Sequence, residues 1–372
     1  MKRKMMLLLL LFALTSFAAV AAKYLIDTGL LRGYPDADYL TPQEAALRPV
    51  YDGLDIKEKA VYSALYRGIS KKEDIIPLPF EVKGSEYSKV YRILEKQEGE
   101  FFYLDSVYYT AKKVRDAKMA YKDSYDIDLK IGEFNSAVEK AVKGGSGIYG
   151  GYYIATYISN YIINNCRYVV GENDKYASTA YGCLVEGKAN CEGYAKAFDV
   201  LAAKMGLESE LITGVTDKGE NHAWNQVKIG LDWYNIDVTW EDTDVEGEVR
   251  REYFLRPDKE FSRTHKPDDE LFKPHVCLKD DWSFFKVSGR FAETLEQAEN
   301  IVKDSLRSGN NTIDIEFSDL DTYEKFKYIM TTEDRVRSII QESGAVFEGM
   351  ISVKFRENID EKCLTVIIEE EK

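Results

Sequence analysis

Apolar residues recur at helical spacing in the middle of the chain, just after Asn190. They lie at i, i+3, i+4, i+7, i+8 and i+11 of one stripe: Tyr194, Ala197, Phe198, Leu201, Ala202 and Met205. Asn190 is a favourable N-cap residue, and Gly206 is a favourable helix terminator. The spacing therefore predicts a helix that begins at Cys191 and buries one face.

Two segments with strand composition follow this helix. They are His222–Ile229 and Asp232–Trp240, and Gly230–Leu231 separates them. Glycine at the first of two central positions is typical of a type II′ turn, which joins antiparallel strands. The pattern therefore predicts a β-hairpin.

The register of this hairpin decides which side chains meet. If Ile229 pairs with Asp232, then His222 lies opposite Thr239 and diagonal to Asp237. Diagonal neighbours share a face of the sheet, with their α-carbons about 7–8 Å apart. A shift of one residue would put His222 and Asp237 on opposite faces. The register is therefore a testable prediction.

The flanking sequence predicts further regions on either side of this centre. Residues 24–143 form an accessory region, and residues 150–288 form the central domain. The glycines between Gly144 and Gly151 mark the boundary between them. The elements predicted in the accessory region are a helix over 56–67, opened by an Asp55/Glu58 capping box and ended by Gly68, an edge strand over 75–80, a helix over 85–96 and strands over 101–114.

A small α/β domain is predicted over residues 289–372. Its helix to Leu306 opens with a Thr294/Gln297 capping box, a strand carries Ile313, Ile315 and Phe317, a long helix covers 320–341, and a hairpin turns near Asn358.

The first 22 residues have the pattern of a secretory signal peptide. Three cations at positions 2–4 precede an apolar run from Met5 to Ala22 that ends in small residues. The alternative is an uncleaved membrane anchor, because about 18 apolar residues approach the length of a span. We expect a secreted or envelope-associated protein, in contact with a membrane only through this segment.

Charge and cysteine content narrow the function classes. The formal net charge is −14, which argues against nucleic acid or an anionic membrane as the partner. Five cysteines are too few for a disulfide scaffold, and the odd number fits one free reactive thiol. Pairing among the other four stays open: Cys166, Cys183, Cys277 and Cys363.

The predicted helix and hairpin bring three chemically matched residues into one region. Cys191, His222 and Asp237 are the residue types of a thiol nucleophile, its base and the group that orients the base. At a helix start, the Cys191 sulfur faces unpaired N–H groups and the positive end of the helix dipole, which favours thiolate. Taken alone, such a cysteine is more often a small buried apolar side chain. The combination favours catalysis.

The motifs GKANCEGYAKAF, HAWNQV and WYNIDVTWED, in this order, resemble the transglutaminase-like superfamily of papain-like cysteine enzymes. The resemblance covers roughly residues 150–273 and includes YFLRPDKEFSRTH, which ends at His265. It implies an α+β fold in which a helix bearing the cysteine packs on an antiparallel sheet bearing the histidine and aspartate. It also implies a Cys191–His222–Asp237 triad and acyl transfer on amides.

Aromatic residues are predicted to wall the site. Trp224 and Trp233 share the His222 face of the hairpin, whereas Trp240 points the other way. The oxyanion would be met by the backbone N–H of Cys191 and by a second donor. Tyr181 is a candidate for that donor, with a packing tyrosine as the alternative.

The sequence predicts no cofactor and no catalytic metal. Glu241, Asp242 and Asp244 form an acidic run without EF-hand spacing, so a solvated loop is favoured over a calcium site. His265, His275 and Cys277 lack the spacing of a zinc site.

Two functions stay open. The first is an exported cysteine hydrolase or acyltransferase that acts on proteins or cell-wall peptides. The second is a non-catalytic cell-surface binding module on the same fold. Whether the enzyme would hydrolyse or cross-link its substrate is undetermined, because both outcomes use the same triad.

Overall fold

The structure of the protein is a computed structural model that describes residues 15–18, 20–21, 33–105, 108–123, 125–170, 174–243 and 249–370. The predicted leader of residues 1–22 lies largely outside these ranges. Within them, no helix combines the length and apolar composition that crossing a membrane requires.

The elements are numbered in chain order. Up to residue 150 they are α1 (Pro42–Ala45), α2 (Pro49–Gly53), α3 (Ile56–Ser70), β1 (Ile75–Lys83), α4 (Gly84–Gln97), a 3₁₀ turn (Gly99–Phe101), β2 (Lys113–Lys118) and α5 (Ile127–Gly144). The central elements are α6 (Gly151–Asn165), β3 (Arg167–Tyr168), a π-helical turn (Gly182–Glu186), β4 (Lys188–Ala189), α7 (Cys191–Lys204), β5 (Ser209–Thr216), β6 (Asn221–Ile229), β7 (Asp232–Ile236), α8 (Val238–Glu241), α9 (Asp258–Phe261), β8 (His265–Pro267) and α10 (Phe284–Val287). The last are β9 (Phe291–Ala292), α11 (Leu295–Arg307), β10 (Thr312–Phe317), α12 (Leu320–Ile329), α13 (Glu333–Ser343), β11 (Ile351–Asn358) and β12 (Cys363–Glu370).

The chain forms two compact units. Among the described residues, the first unit comprises those up to residue 41 with 54–94 and 104–122, and the second comprises 42–53, 95–103 and those from 123 to 370. The expected boundary near residue 143 therefore does not separate the units. Helix α5 belongs to the second unit, where its Phe134 ring lies 5.0 Å from the ring of Phe102.

In the first unit, α3 packs on the antiparallel pair β1 and β2. The predicted capping box is present, because Asp55 and Glu58 each accept a hydrogen bond from the other's backbone N–H. The helix does not end at Gly68, however. A Cβ at Gly68 would lie 2.4 Å from the Ile76 side chain, so this glycine permits close helix–strand packing instead.

The prediction of strands over residues 101–114 is wrong for the residues described there, of which only the last two belong to a strand. Phe101 to Tyr103 lie in a 3₁₀ turn and in the turn after it, whereas Tyr108 and Tyr109 lie outside helices, strands and turns. The Phe102 ring stacks on Tyr181 with centroids 4.7 Å apart. Burial of this ring in the core of the second unit outweighs the strand propensity of aromatic residues.

The centre of the second unit is a helix on an antiparallel sheet. The strand order is β7-β6-β5-β8, and α7 packs across β5 and β6 with Tyr194, Phe198 and Leu201 fully buried. The hairpin has the predicted register, in which Ile229 pairs with Asp232. The predicted α+β fold class is confirmed.

The C-terminal domain has a four-stranded sheet in the order β11-β12-β10-β9, with α11–α13 contributing to its core. The Thr294/Gln297 capping box and the buried face of β10 are as predicted. The single helix predicted over 320–341 is wrong, because α12 and α13 are separate. Thr332 adopts an extended backbone between them, and the Thr331 hydroxyl donates to the carbonyl of Tyr328.

Gly193 in the first turn of α7 allows the backbone of the preceding loop to approach. A Cβ there would lie 2.4 Å from the carbonyl oxygen of Ala177 and 2.7 Å from the Cβ of Ala189. We expect Gly193→Ala to destabilise the protein by about 1–3 kcal/mol, because neither neighbour is the end of a flexible side chain. Urea denaturation measures this change.

Gly132→Ala is the matched control, since Gly132 also lies within a helix but has open space around it. It should leave stability unchanged or raise it by up to about 1 kcal/mol. Equal stability of the two variants would show that the close approach at Gly193 does not constrain α7.

Candidate active site

Cys191 is the first residue of α7, as predicted. Asn190 caps the helix by accepting from the backbone N–H of Gly193 at 3.2 Å, and its amide donates to Ser178 at 2.7 Å. The Cys191 side chain is half-buried and packs against Leu211 and Ala223 of the sheet. The N-terminus of the helix therefore holds the sulfur against β5 and β6.

Polar contacts hold α7 in place on the sheet. Asp199 accepts hydrogen bonds from the Ser209 hydroxyl at 2.5 Å and from Asn225 at 2.8 Å. Asn225 also donates to the carbonyl oxygen of Ala195 at 3.0 Å. Burial raises the pKa of Asp199 to about 7, although both hydrogen bonds act in the opposite direction. The HAWN motif thus supplies Asn225, which hydrogen-bonds α7, as well as His222.

His222 lies near the start of β6 and is buried. Its Nε2 donates to Asp237 Oδ2 at 2.7 Å. Burial lowers the pKa of His222, but the charge and hydrogen bond of Asp237, with a smaller contribution from Cys191, raise it to about 10. The Asp237 carboxylate therefore favours the imidazolium form of His222 at neutral pH.

Asp237 follows the last residue of β7 and caps the short helix α8. Its Oδ1 accepts from the backbone N–H groups of Thr239 and Trp240, at 3.0 and 3.2 Å, which leaves Oδ2 for His222. The carboxylate is fully buried, and burial alone would raise its pKa. The positive charge and hydrogen bond of His222 outweigh burial and hold the pKa well below its usual range.

The role of His265 is apparent only in the structure. This residue lies on β8, and its Nε2 donates to the same Asp237 Oδ2 at 3.0 Å. Its Nδ1 lies 2.8 Å from the Thr264 hydroxyl, and its ring stacks on Phe261 with centroids 3.9 Å apart. The only sequence signal was its position at the end of the YFLRPDKEFSRTH motif. The carboxylate is therefore oriented by two histidines.

For the acyl transfer that the sequence resemblance implies, we expect His265→Leu to reduce the rate about tenfold to a hundredfold, because a hydrogen bond to a charged group contributes about 1.5–3 kcal/mol. His265→Gln should retain more activity, since a glutamine amide can also donate to Asp237. Single-turnover rates against pH would measure both variants. Identical rates in the two variants would assign His265 a packing role only.

The tryptophans are placed partly as predicted. Trp224 is buried, and its ring lies 6.2 Å from that of His222 on the same face of β6. Trp233 pairs with Lys228 and so lies on the predicted His222 face, and its ring stacks on His275 with centroids 4.0 Å apart. The expectation that Trp240 points away is wrong, because its ring lies 5.4 Å from the His222 ring. The strand ends before Trp240, so alternation no longer sets its direction.

The Tyr181 hydroxyl is directed towards Glu133 and not towards the site. It donates to Glu133 at 2.5 Å. Its ring stacks on Phe102, and Lys130 lies 5.2 Å from the ring centroid. Burial, followed by the hydrogen bond to Glu133, raises the pKa of Tyr181. This placement favours the packing interpretation over that of an oxyanion donor.

The acidic run after Asp237 is not a solvated loop. Glu241 is fully buried, forms an ion pair with Arg251 and accepts from the Ser159 hydroxyl at 2.7 Å. Asp242 accepts from the Tyr194 hydroxyl at 2.7 Å. Asp244 lies outside the described residues. The two described carboxylates therefore anchor α8 to α6 and α7.

A cavity of about 460 Å³ opens beside His222. Its walls combine aromatic rings with charged side chains: Tyr168, Glu220, Trp240, Asp242, Arg250 and Tyr253. Within the described residues, the side chains with metal-ligand spacing are His222, Asp237 and His265, which are hydrogen-bonded to one another. None of the five cysteines forms a disulfide, and all except Cys191 are buried.

Comparisons with known proteins agree with this geometry. The model of the transglutaminase-like superfamily core matches residues 137–238, which include Cys191, His222 and Asp237. The chain thus carries a transglutaminase-like core, and the resemblance predicted from the sequence is confirmed. The kyphoscoliosis peptidases of Mus musculus and Homo sapiens are each 29% identical over 129 residues, which cover 29% of this chain and 20% of theirs. The chain therefore matches about a fifth of the length of these relatives.

Solved structures show only a partial likeness. A protein from Cytophaga hutchinsonii, described as a candidate cysteine protease, gives a TM-score of 0.27 at 17% identity, covering 40% of this chain and 55% of its own. A transglutaminase gives 0.26 at 15% identity, covering 37% and 43%. Scores this low support no functional argument.

Proposed function

We propose that this chain is a cysteine-dependent acyl-transfer enzyme that attacks amide or peptide carbonyls through Cys191, His222 and Asp237. One observation carries the proposal. A buried carboxylate lies 2.7 Å from one nitrogen of His222, and the side chain of Cys191, at a helix N-terminus, packs against Ala223, the residue that follows His222. This is the order of nucleophile, base and orienting group that a catalytic triad requires.

In the acylation step, the Cys191 thiolate attacks the carbonyl carbon. The backbone N–H of Cys191, a first-turn donor without an acceptor inside the helix, can meet the developing oxyanion. The His222 imidazolium gives its proton to the leaving nitrogen as the C–N bond breaks. The products are a thioester on Cys191 and a free amine or ammonia, and His222 is left neutral.

In the deacylation step, neutral His222 takes a proton from water or from an incoming amine. The nucleophile attacks the thioester, the C–S bond breaks, and the thiolate–imidazolium pair is restored. Water gives hydrolysis, and an amine gives transamidation. Asp237 holds the imidazole in the required tautomer in both outcomes.

Our proposal for the substrate rests on the cavity, and our proposal for the location rests on the sequence. The mixed aromatic and charged walls beside His222 suit a segment of a protein or a cell-wall peptide. Export rests on the pattern of residues 1–22, which cell fractionation with a C-terminally tagged chain would test.

Incubation of the purified protein with a glutamine-containing protein and a labelled primary amine tests the function. Release of ammonia with incorporation of the amine indicates transamidation, and release without incorporation indicates an amidase. New peptide termini indicate a peptidase. If Cys191→Ala matches the wild type in every assay, the enzyme proposal is wrong and the chain is a binding module.

A further inference from the structure

The segment from Tyr253 to Arg256 runs beside the strand that carries the catalytic carboxylate. The backbone N–H of Asp237 donates to the carbonyl oxygen of Tyr253 at 3.1 Å. Asn235 and Arg256 exchange both backbone hydrogen bonds, at 2.8 and 2.7 Å. The position of Asp237 therefore depends on this segment as well as on β6.

The segment is strained at its centre. Leu255 is fully buried and has a φ of 54°, in the left-handed region that a leucine rarely occupies. Such a conformation costs about 1–3 kcal/mol and persists only where the surrounding structure enforces it. Other contacts must therefore hold the segment in place.

Those contacts come from the C-terminal domain. The Arg256 guanidinium is buried and forms a bidentate pair with Glu316 of β10, at 2.9 and 2.7 Å. Glu361, in the turn between β11 and β12, lies 3.8 Å from Arg256 and 3.5 Å from Arg263. Arg263 also donates to the carbonyl oxygen of Asp360 at 2.7 Å. Two buried carboxylates of the C-terminal domain, Glu316 and Glu361, thus form ion pairs with Arg256 of the central domain.

We infer that the C-terminal domain positions the catalytic carboxylate, with Glu316 and Arg256 as positioning residues that act through the Tyr253–Arg256 segment. The inference rests on the proposed function, and it gives that domain a part in the reaction. When the ion pair between Arg256 and Glu316 is lost, the strained segment relaxes, and the backbone that supports Asp237 moves. The hydrogen bond from His222 to Asp237 then weakens, and with it the charge on His222 that sustains the thiolate.

The competing explanation is that the Arg256–Glu316 ion pair only stabilises the fold. A control variant separates this explanation from the positioning role. Glu299 also pairs through both carboxylate oxygens with an arginine, Arg335, but both residues lie inside the C-terminal domain. Glu299→Gln removes a bidentate ion pair that is more exposed than the Arg256–Glu316 pair, without touching Arg256. Both variants should therefore lose thermal stability, Glu299→Gln by less.

The experiment compares the full-length wild type, Glu316→Gln and Glu299→Gln. Because the chain has three histidines, NMR titration can follow His222 individually. We expect Glu316→Gln to lower the titration midpoint of His222 by at least about one pH unit and to slow alkylation of Cys191 at pH 6 about tenfold. Glu299→Gln should change neither value.

Three outcomes decide the matter. If Glu316→Gln loses stability but keeps the wild-type titration and alkylation rate, the positioning role is overturned. If Glu316→Gln does not fold, Glu361→Gln replaces it, and about a threefold slower alkylation at pH 6 is the supporting result, with no change overturning the inference. If wild-type Cys191 proves unreactive, the proposed function fails, whereas the His222 titration still tests the positioning of Asp237.

Discussion

Replacing His222 by alanine is expected to reduce acyl transfer by about 10⁴- to 10⁶-fold and to slow alkylation of Cys191 below pH 8. The substitution removes the proton carrier of both chemical steps. It also removes the cation that favours thiolate at Cys191, since the raised pKa of His222 keeps the ring charged at neutral pH. Iodoacetamide labelling from pH 5 to pH 9, followed by peptide mass spectrometry, measures the second effect.

His275→Ala provides the control for this experiment. His275 stacks on Trp233 and lies 3.6 Å from Glu210, so its loss should leave Cys191 labelling unchanged. The other four cysteines are buried and differ from Cys191 in exposure, so they are poor controls. Comparing the wild type with His222→Ala instead follows the same thiol, Cys191, with and without the imidazole. Equal labelling of Cys191 in wild type and His222→Ala would contradict the thiolate–imidazolium pair.

The same substitution predicts a pH dependence of stability. The folded-state pKa of His222 is raised from 6.5 to about 10 by Asp237. Its contribution to the free energy of unfolding is therefore complete below pH 6.5 and is lost as the pH rises towards 10. The difference in stability between wild type and His222→Ala should shrink over that interval in urea denaturation. A constant difference would mean that His222 is not charged in the folded state.

The second large effect is expected for Asp237→Asn, which should lower the acyl-transfer rate by about 10⁴-fold with little change in fold. An asparagine oxygen can still accept from the backbone of Thr239 and Trp240, as Oδ1 does now. Its amide then faces His222 Nε2 as a donor and forces the ring proton onto Nδ1. The nitrogen that faces Cys191 could no longer accept a proton.

Single-turnover acylation and the ¹⁵N shifts of His222 would measure the rate and the tautomer. Asp217→Asn is the control, because it makes the same chemical change on an exposed turn between β5 and β6. It should match the wild type. If Asp237→Asn retains the wild-type rate, Asp237 does not orient the base, and the triad reduces to Cys191 and His222.

Local sequence signals predicted the parts of the site that are close together along the chain. Asn190 and Gly206 set the limits of the helix that begins with Cys191, and Gly230 fixed the register of the hairpin. These are backbone effects of single residues, so they act wherever the segment lies. The contact between His222 and Asp237 followed from that register.

Propensity failed where burial or a local polar contact decided the conformation. Phe102 lies in a turn and not in a strand because its ring stacks on Tyr181 of the same unit. The helix expected over 320–341 is divided at Thr332, where a side-chain contact competes with the helical backbone. The pattern of apolar positions is compatible with both conformations in each case.

The sequence by itself determined the helix, the hairpin and the three residues of the proposed triad, because each depends on spacings of a few residues. Only the tertiary structure decided what surrounds Asp237. His265 reaches it because Thr216 of β5 pairs with His265 of β8. Arg256 forms an ion pair with Glu316, which lies sixty positions further along the chain. Such contacts are set by how sheets and domains pack against each other, and spacing along the chain carries no record of that packing.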